Sequence, residues 1–259
     1  MSTVDYLAAS SVATITLNAP ERRNALSAPL LGQLRSALDR AEAAPEVRTV
    51  VLSHTGTVFC SGMDLTAVTD VPAAEQPINA FPALLQRIWD FGKPVIGRVD
   101  GKARAGGIGL IAACDIAIGT SNADFAFTEV RLGLVPAVIS VPVLPRLLPR
   151  AVLELCLTGE TFDAGRAAEI GLLSRVVADP DAELARLTGL LAGCEPKALA
   201  ATKAMLRRDR SGLSMADDLA AMSELSAEYF ASAEAAEGIS AFRQKRPPAW
   251  AAGPNEGSG

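Results

Sequence analysis

Histidine is almost absent from this sequence. A single His54 in 259 residues excludes a multi-histidine metal centre and makes any Ser-His-Asp triad depend on one side chain. Cysteine is scarce as well: Cys60, Cys114, Cys156 and Cys194 lie far apart and form no C-x-x-C, and the opening "MSTVDYLAAS" has no secretory pattern. They read as free thiols, mostly core filler, in a reducing compartment, so the expected location is cytoplasmic. Long apolar runs are missing too. "GGIGLIAAC" stops well short of membrane-spanning length. Nor is there a block of like charge. With 24 Lys+Arg against 29 Asp+Glu the net charge is -5, which excludes the basic footprint that nucleic-acid binding needs. A local basic patch for a small anionic ligand stays compatible with that balance.

What the chain has is core-forming capacity. Hydrophobic residues make up 49%, enough for one large domain or a domain with a helical appendage, and only the polar end "AAGPNEGSG" is expected to fray. "VATITLN" (12–18) alternates and reads as a strand. "SAPLLGQLRSALDRAEAA" reads as a helix with Ser27 as N-cap, Pro29 in its first turn, and Leu30, Leu34, Ala37, Leu38 and Ala41 on one face. The fully apolar "TVVLS" (49–53) reads as a strand covered on both faces. The alternation continues through a helix over "INAFPALLQRIWDF", strand "PVIGRV" (94–99), a short helix, and strand "DIAIG" (115–119). Strands alternating with helices imply crossover units and a largely parallel sheet. From about Ala151 the chain is mainly helical, apart from "SRVVA" (174–178), with Pro196 opening one helix. Met215, Leu219, Met222, Ser226 and Tyr229 form one stripe on another, of the kind that serves as core or subunit interface.

The stretch "RAGGIGLIAACDI" (104–116) raises the functional question. Gly107, Gly109 and Ala112 spell G-x-G-x-x-A, a form of the dinucleotide fingerprint, and Glu129 lies near the distance of a ribose-binding acid. The context argues against it. "DIAIG" ends without a carboxylate, "DGKARA" separates the preceding strand from the glycines, and a complete strand–helix–strand segment precedes the unit. The alternative takes "FCSGMDL" and "RAGGIGL" together, each following a buried strand. Two backbone N–H groups converging from such loops make an oxyanion hole, and glycine admits the close approach; two ordinary tight turns are the other reading.

The order "ITLNAPERRNALS", "FCSGMDL", "DGKARAGGIGLIAACDIAI", "FAFTEVRLGLVPA", "TGETFDAGRAAEIGLLSRVV" and "AFRQKRPPAW" resembles the crotonase superfamily, the enoyl-CoA hydratase/isomerase family, from about residue 11 to residue 250. The resemblance implies an α/β fold, a crotonase-like spiral of β-β-α repeats with a C-terminal helical trimerisation region. The implied division is an acyl-CoA-binding core over 1–195, a helical region over 196–250 for oligomerisation and closure of the CoA pocket, and a tail over 251–259. It implies an acyl-CoA substrate, with CoA part of the substrate and no metal, nicotinamide or flavin cofactor, and a homotrimer or dimer of trimers. By motif position the N–H groups of Met63 and Gly106 would hold the thioester oxygen, with Ser61, Gly62, Asp64, Leu65 and Gly109 around the acyl group. Arg22, Arg23 and the Ala25 backbone would meet CoA, as would Phe242 and Lys245, often from a neighbouring subunit. A solvated surface face is the other reading of the basic residues.

One position departs from the pattern. Two-glutamate hydratases carry a first Glu three residues after the oxyanion glycine and a second about twenty residues later. Here Gly109 takes the first place, and Glu129, in "FTEVRLG", keeps the second. Three readings stay open: a hydratase working through Glu129, a double-bond isomerase needing one base, or an acyl-CoA binder without turnover. Asp64 is expected to cap a helix, Asp115 to satisfy backbone at a strand start, Asp100 to hold a turn, His54 to be structural, and Arg131 to point away from Glu129.

Overall fold

The computed structural model describes residues 2–64 and 77–251, in two compact units, one ending at Arg186 and the other beginning at Leu187. The first unit starts with a hairpin. β1 (Val4–Ala9) and β2 (Val12–Leu17) pair antiparallel through Ser10 and Ser11, both at positive φ, the twist that suits a two-residue turn. Only β2 was legible in the sequence as a strand, because its side chains alternate in burial, whereas β1 is mostly exposed beyond Val4. From β2 the chain crosses through α1 (Ala28–Ala43) to β3 (Thr49–His54). The Ser27 hydroxyl accepts from the Leu30 N–H, and the buried face is the expected one with Leu31 added.

β3 is followed by β5 (Val95–Val99), β7 (Ile116–Gly119) and β10 (Arg175–Val176). All are parallel, giving a six-stranded sheet in the order β1-β2-β3-β5-β7-β10. The stretches read as glycine loops hold short strands of their own. β4 (Val58–Cys60), β6 (Lys102–Arg104) and β8 (Asp124–Ala126) follow β3, β5 and β7, and with β9 (Phe162–Asp163) they form a second, four-stranded sheet. Each turn of chain thus lays one strand in each sheet, and helices α1, α2 (Phe81–Trp89) and α3 (Gly106–Ala113) lead from turn to turn. This is the repeating β-β-α spiral that the resemblance implies. α3 is buried along its whole length, as expected of a helix apolar on every side. α4 (Ala137–Val143), α5 (Pro149–Thr158) and α6 (Ala164–Glu169) complete the unit around one continuous apolar core.

α7 (Pro180–Ala192) carries the boundary between the units. The second unit holds α8 (Pro196–Arg207), α9 (Met215–Phe230) and α10 (Ala233–Gln244), capped by Glu195, Ser214 and Ser232, each accepting from an N–H three residues on. Trp250 donates its indole N–H to the Gly193 carbonyl at 3.1 Å. The α9 stripe is not core: Met215 is 72% and Leu219 59% exposed, and Asp218 is the one buried residue of the helix. Among the described residues no helix is long and apolar enough to cross a membrane.

Candidate active site

Two chain segments meet where β4 and β6 end. Gly62 has a φ of +89°, and a Cβ placed on it would stand 3.1 Å from the Ala105 Cβ and 3.6 Å from the Gly106 nitrogen, so the peptides at 62–63 and 105–106 lie against each other. Leu26 pairs across Met63 in a parallel bridge: the Leu26 N–H donates to the Gly62 carbonyl at 2.8 Å, and the Asp64 N–H donates to the Leu26 carbonyl at 3.4 Å. That pattern leaves the Met63 N–H directed away from Leu26. Gly106 opens α3, so its N–H is one of the donors that a helix start leaves over. Among the described residues neither N–H has a backbone acceptor. The segments that carry the two expected oxyanion donors therefore lie beside each other.

The glycines of α3 answer the question of the fingerprint. A Cβ at Gly107 would stand 2.7 Å from the Cys60 carbonyl oxygen, and one at Gly109 would stand 2.7 Å from the Ile139 Cγ2. At Gly106 it would stand 2.7 Å from Leu26 Cδ1. All three admit protein neighbours at close range, not a pyrophosphate, and β7 ends in Gly119 with no acid to take a ribose.

Glu129 follows a strand that is paired beside this place. β8 pairs with β6, Ala126 opposite Arg104, and the Ala105 N–H donates to the Ala126 carbonyl at 3.2 Å. Three residues later Glu129 opens the 3-10 turn Glu129–Leu132, closed by Gly133 in the left-handed region and by the Leu134 N–H on the Glu129 carbonyl. The residue is 9% exposed, and among the described residues its buried Oε2 has no hydrogen-bond partner. Burial pushes its pKa up, opposed by a bond from its own N–H. Cys156, on α5, feels the Glu129 charge: burial first and that carboxylate second raise the thiol to about 11, so it stays protonated. Arg131 points away as expected, its guanidinium nitrogens donating to the Thr158 carbonyl.

The remaining candidates fall into three groups. Ser61 and Ala25 flank the Leu26–Met63 bridge, the Ser61 N–H donating to the Arg23 carbonyl at 3.1 Å. Arg22 and Arg23 are exposed, and Arg22 Nη2 meets the buried Asp64 carboxylate at 2.5 Å. Phe242 and Lys245 are exposed in the second unit. Leu65 lies outside the described residues, as does the segment that Asp64 would cap. Asp115 Oδ2 accepts from the Val95 N–H at 2.7 Å at the strand start, as expected. His54 is structural: its Nε2 accepts from the Asp100 N–H at 3.0 Å, which puts the ring proton on Nδ1 toward Thr55, and burial lowers its pKa, so it stays neutral. Asp100 pairs with Arg98 beside it.

Three residues carry weight that sequence reasoning missed. Asn24, wholly buried in "ERRNAL", accepts from the Ala19 N–H and donates to the carbonyls of Thr55 and Val58, fixing the loop to the β3–β4 connection. Its φ of 50° after 54° at Arg23 gives the signal in retrospect, since asparagine tolerates that region. Ala105 holds φ 46° and ψ -114°, a strained geometry for a residue with a Cβ, directly before Gly106. Ile139, on α4, fills the space beside Gly109.

Comparison with known proteins gives the family. The family model described as enoyl-CoA hydratase/isomerase matches residues 8–253. The 2,3-dehydroadipyl-CoA hydratase of Escherichia coli is 33% identical over 92% of this chain and 94% of its own length. The crystal structure of an enoyl-CoA hydratase from Mycobacterium avium is 43% identical with a TM-score of 0.74, covering 96% of this chain and 99% of that one. One from Shewanella pealeana has a TM-score of 0.91 at 30% identity, with 96% of each chain covered. Fold and sequence converge, and the chain belongs to the enoyl-CoA hydratase/isomerase family.

Proposed function

We propose that the protein acts on acyl-CoA thioesters as a hydratase-type enzyme, with the Met63 and Gly106 N–H groups on the thioester oxygen and Glu129 as its acid/base. The observation that carries this reading is the Glu129 carboxyl, buried with an unpartnered Oε2 and joined by register to the loop that supplies the Gly106 donor. In hydration, water oxygen bonds the β-carbon, negative charge passes to the thioester oxygen, and a carboxyl returns a proton to the α-carbon. Each fixed N–H donor on that oxygen is worth about 3 kcal/mol in the transition state. A carboxyl raised by burial is matched to giving back the proton it takes. Hydratase is also the activity named for the E. coli relative. The exposed cations Arg22 and Arg23 are suited to the CoA phosphates. No metal or redox cofactor enters these steps.

A second reading has one observation in its favour. With Gly109 against Ile139 there is no carboxyl at 109 to join Glu129, and a double-bond shift needs one base: the proton leaves C2 of a 3-enoyl thioester and returns at C4. Purified protein tested on 2-enoyl- and 3-enoyl-CoA separates the two readings by product. Glu129→Gln is expected to cut either rate by about 10²–10⁴. Full activity in that variant overturns the assignment.

A further inference from the structure

The place left by the absent acid is occupied. Gly109 lies one turn along α3 from Gly106, and a side chain there would start 2.7 Å from Ile139 Cγ2 and 3.2 Å from its Cβ. The contact at 2.7 Å is one that real Cβ atoms essentially never make and that at 3.2 Å is tight, and Ile139 is itself buried in α4, branched at Cβ and restricted in rotation. Glycine at 109 alone would leave a hole that water or a polar group enters. Glycine with isoleucine leaves a dry wall.

We propose that Ile139 is a specificity-determining residue of this site: its γ2 methyl group fills the position from which a second carboxyl would hold water, and so sets the ratio of water addition to proton return. This rests on Glu129 being the proton carrier. Hydration by two carboxyls has one take a proton from water as oxygen bonds the β-carbon while the other protonates the α-carbon. With the Ile139 side closed, Glu129 must do both, or else shuttle a substrate proton with no water added. The ratio of the two outcomes belongs to the Gly109–Ile139 pair and not to Glu129.

The test uses Ile139→Ala, Gly109→Glu and the double variant. Each is measured for water addition to 2-enoyl-CoA and for the 3-to-2 double-bond shift, with melting temperature alongside. Gly109→Glu alone is expected to melt well below wild type. Adding Ile139→Ala should recover most of that loss and raise the ratio of water addition to double-bond shift by about tenfold or more. Should the double variant fail to fold, Ile139→Thr, which puts a hydroxyl at the same wall, is expected to move the ratio in the same direction. A folded double variant, or a folded Ile139→Thr, with the wild-type ratio overturns the inference. Glu129→Gln keeps the two claims apart. Retained turnover there overturns the reading of Glu129, while a fixed ratio with Glu129→Gln inactive overturns only the role of Ile139.

Discussion

A carboxyl with one oxygen shut away from every donor works against stability once it ionises, and Glu129 is such a group. Burial raises its pKa above the ordinary 4.5, so the unfolded chain releases this proton at lower pH than the folded one does. The contribution of Glu129 to stability is therefore present at low pH and lost as pH rises through the raised value. Glu129→Gln, which never ionises, is expected to gain in melting temperature over wild type, and by more at pH 8 than at pH 5. A constant difference between the two pH values contradicts the burial argument. In turnover the sign reverses. A base must be ionised, so the acid limb of kcat/KM should lie above 4.5. Ala105 offers a second residue-level test. Its φ of 46° suits glycine, and the strain costs about 1–3 kcal/mol against about 0.5–1 kcal/mol of extra chain entropy for glycine. Ala105→Gly should thus raise the unfolding midpoint in urea. A lowered midpoint would mean that the Ala105 methyl contributes more by packing than its backbone loses.

At the scale of elements, the site is an assembly of segments joined by few bonds, and Asn24 makes three of them. Asn24→Ala would leave the Ala19 N–H and two carbonyls without their partner, and is expected to cost at least about 2 kcal/mol in urea unfolding, with loss of turnover as the "ERRNAL" loop comes free. Retained stability would show that water takes over those bonds. Legibility follows the same lines. α1 was plain because amphipathic spacing and the Ser27 cap agree. The three-residue strands β4 and β6 were not, since so short a run shows no alternation, and glycines near their ends look like loop. As a proton carrier Glu129 stood out through the resemblance alone. Composition and spacing give no reason to prefer it over Asp64 or Asp115; what distinguishes them is that Arg22 holds the one and the Val95 N–H the other. Ile139 was invisible because its meeting with Gly109 depends on how α4 packs on α3, thirty residues away in sequence.

For the whole molecule the open account is apolar surface. In the first unit Val135 is 75% and Val141 73% exposed, and Leu132, Leu134, Leu144, Leu148, Leu153 and Leu157 are exposed with them, all on the Glu129 turn and the two helices after it. In the second unit Met215, Leu219, Phe230 and Phe242 are exposed as well. A soluble monomer rarely shows so many large apolar side chains along consecutive elements, and covering them by other copies of the chain removes the cost. The trimer or dimer of trimers that the resemblance implies predicts a mass in solution three or six times 26.9 kDa by light scattering. Val141→Asp with Leu144→Asp should lower that mass and, because Leu132 and Leu134 stand in the same turn as Glu129, lower turnover with it. A wild-type protein at 26.9 kDa and fully active would show that these side chains need no cover, and that the acid/base is held by its own chain alone.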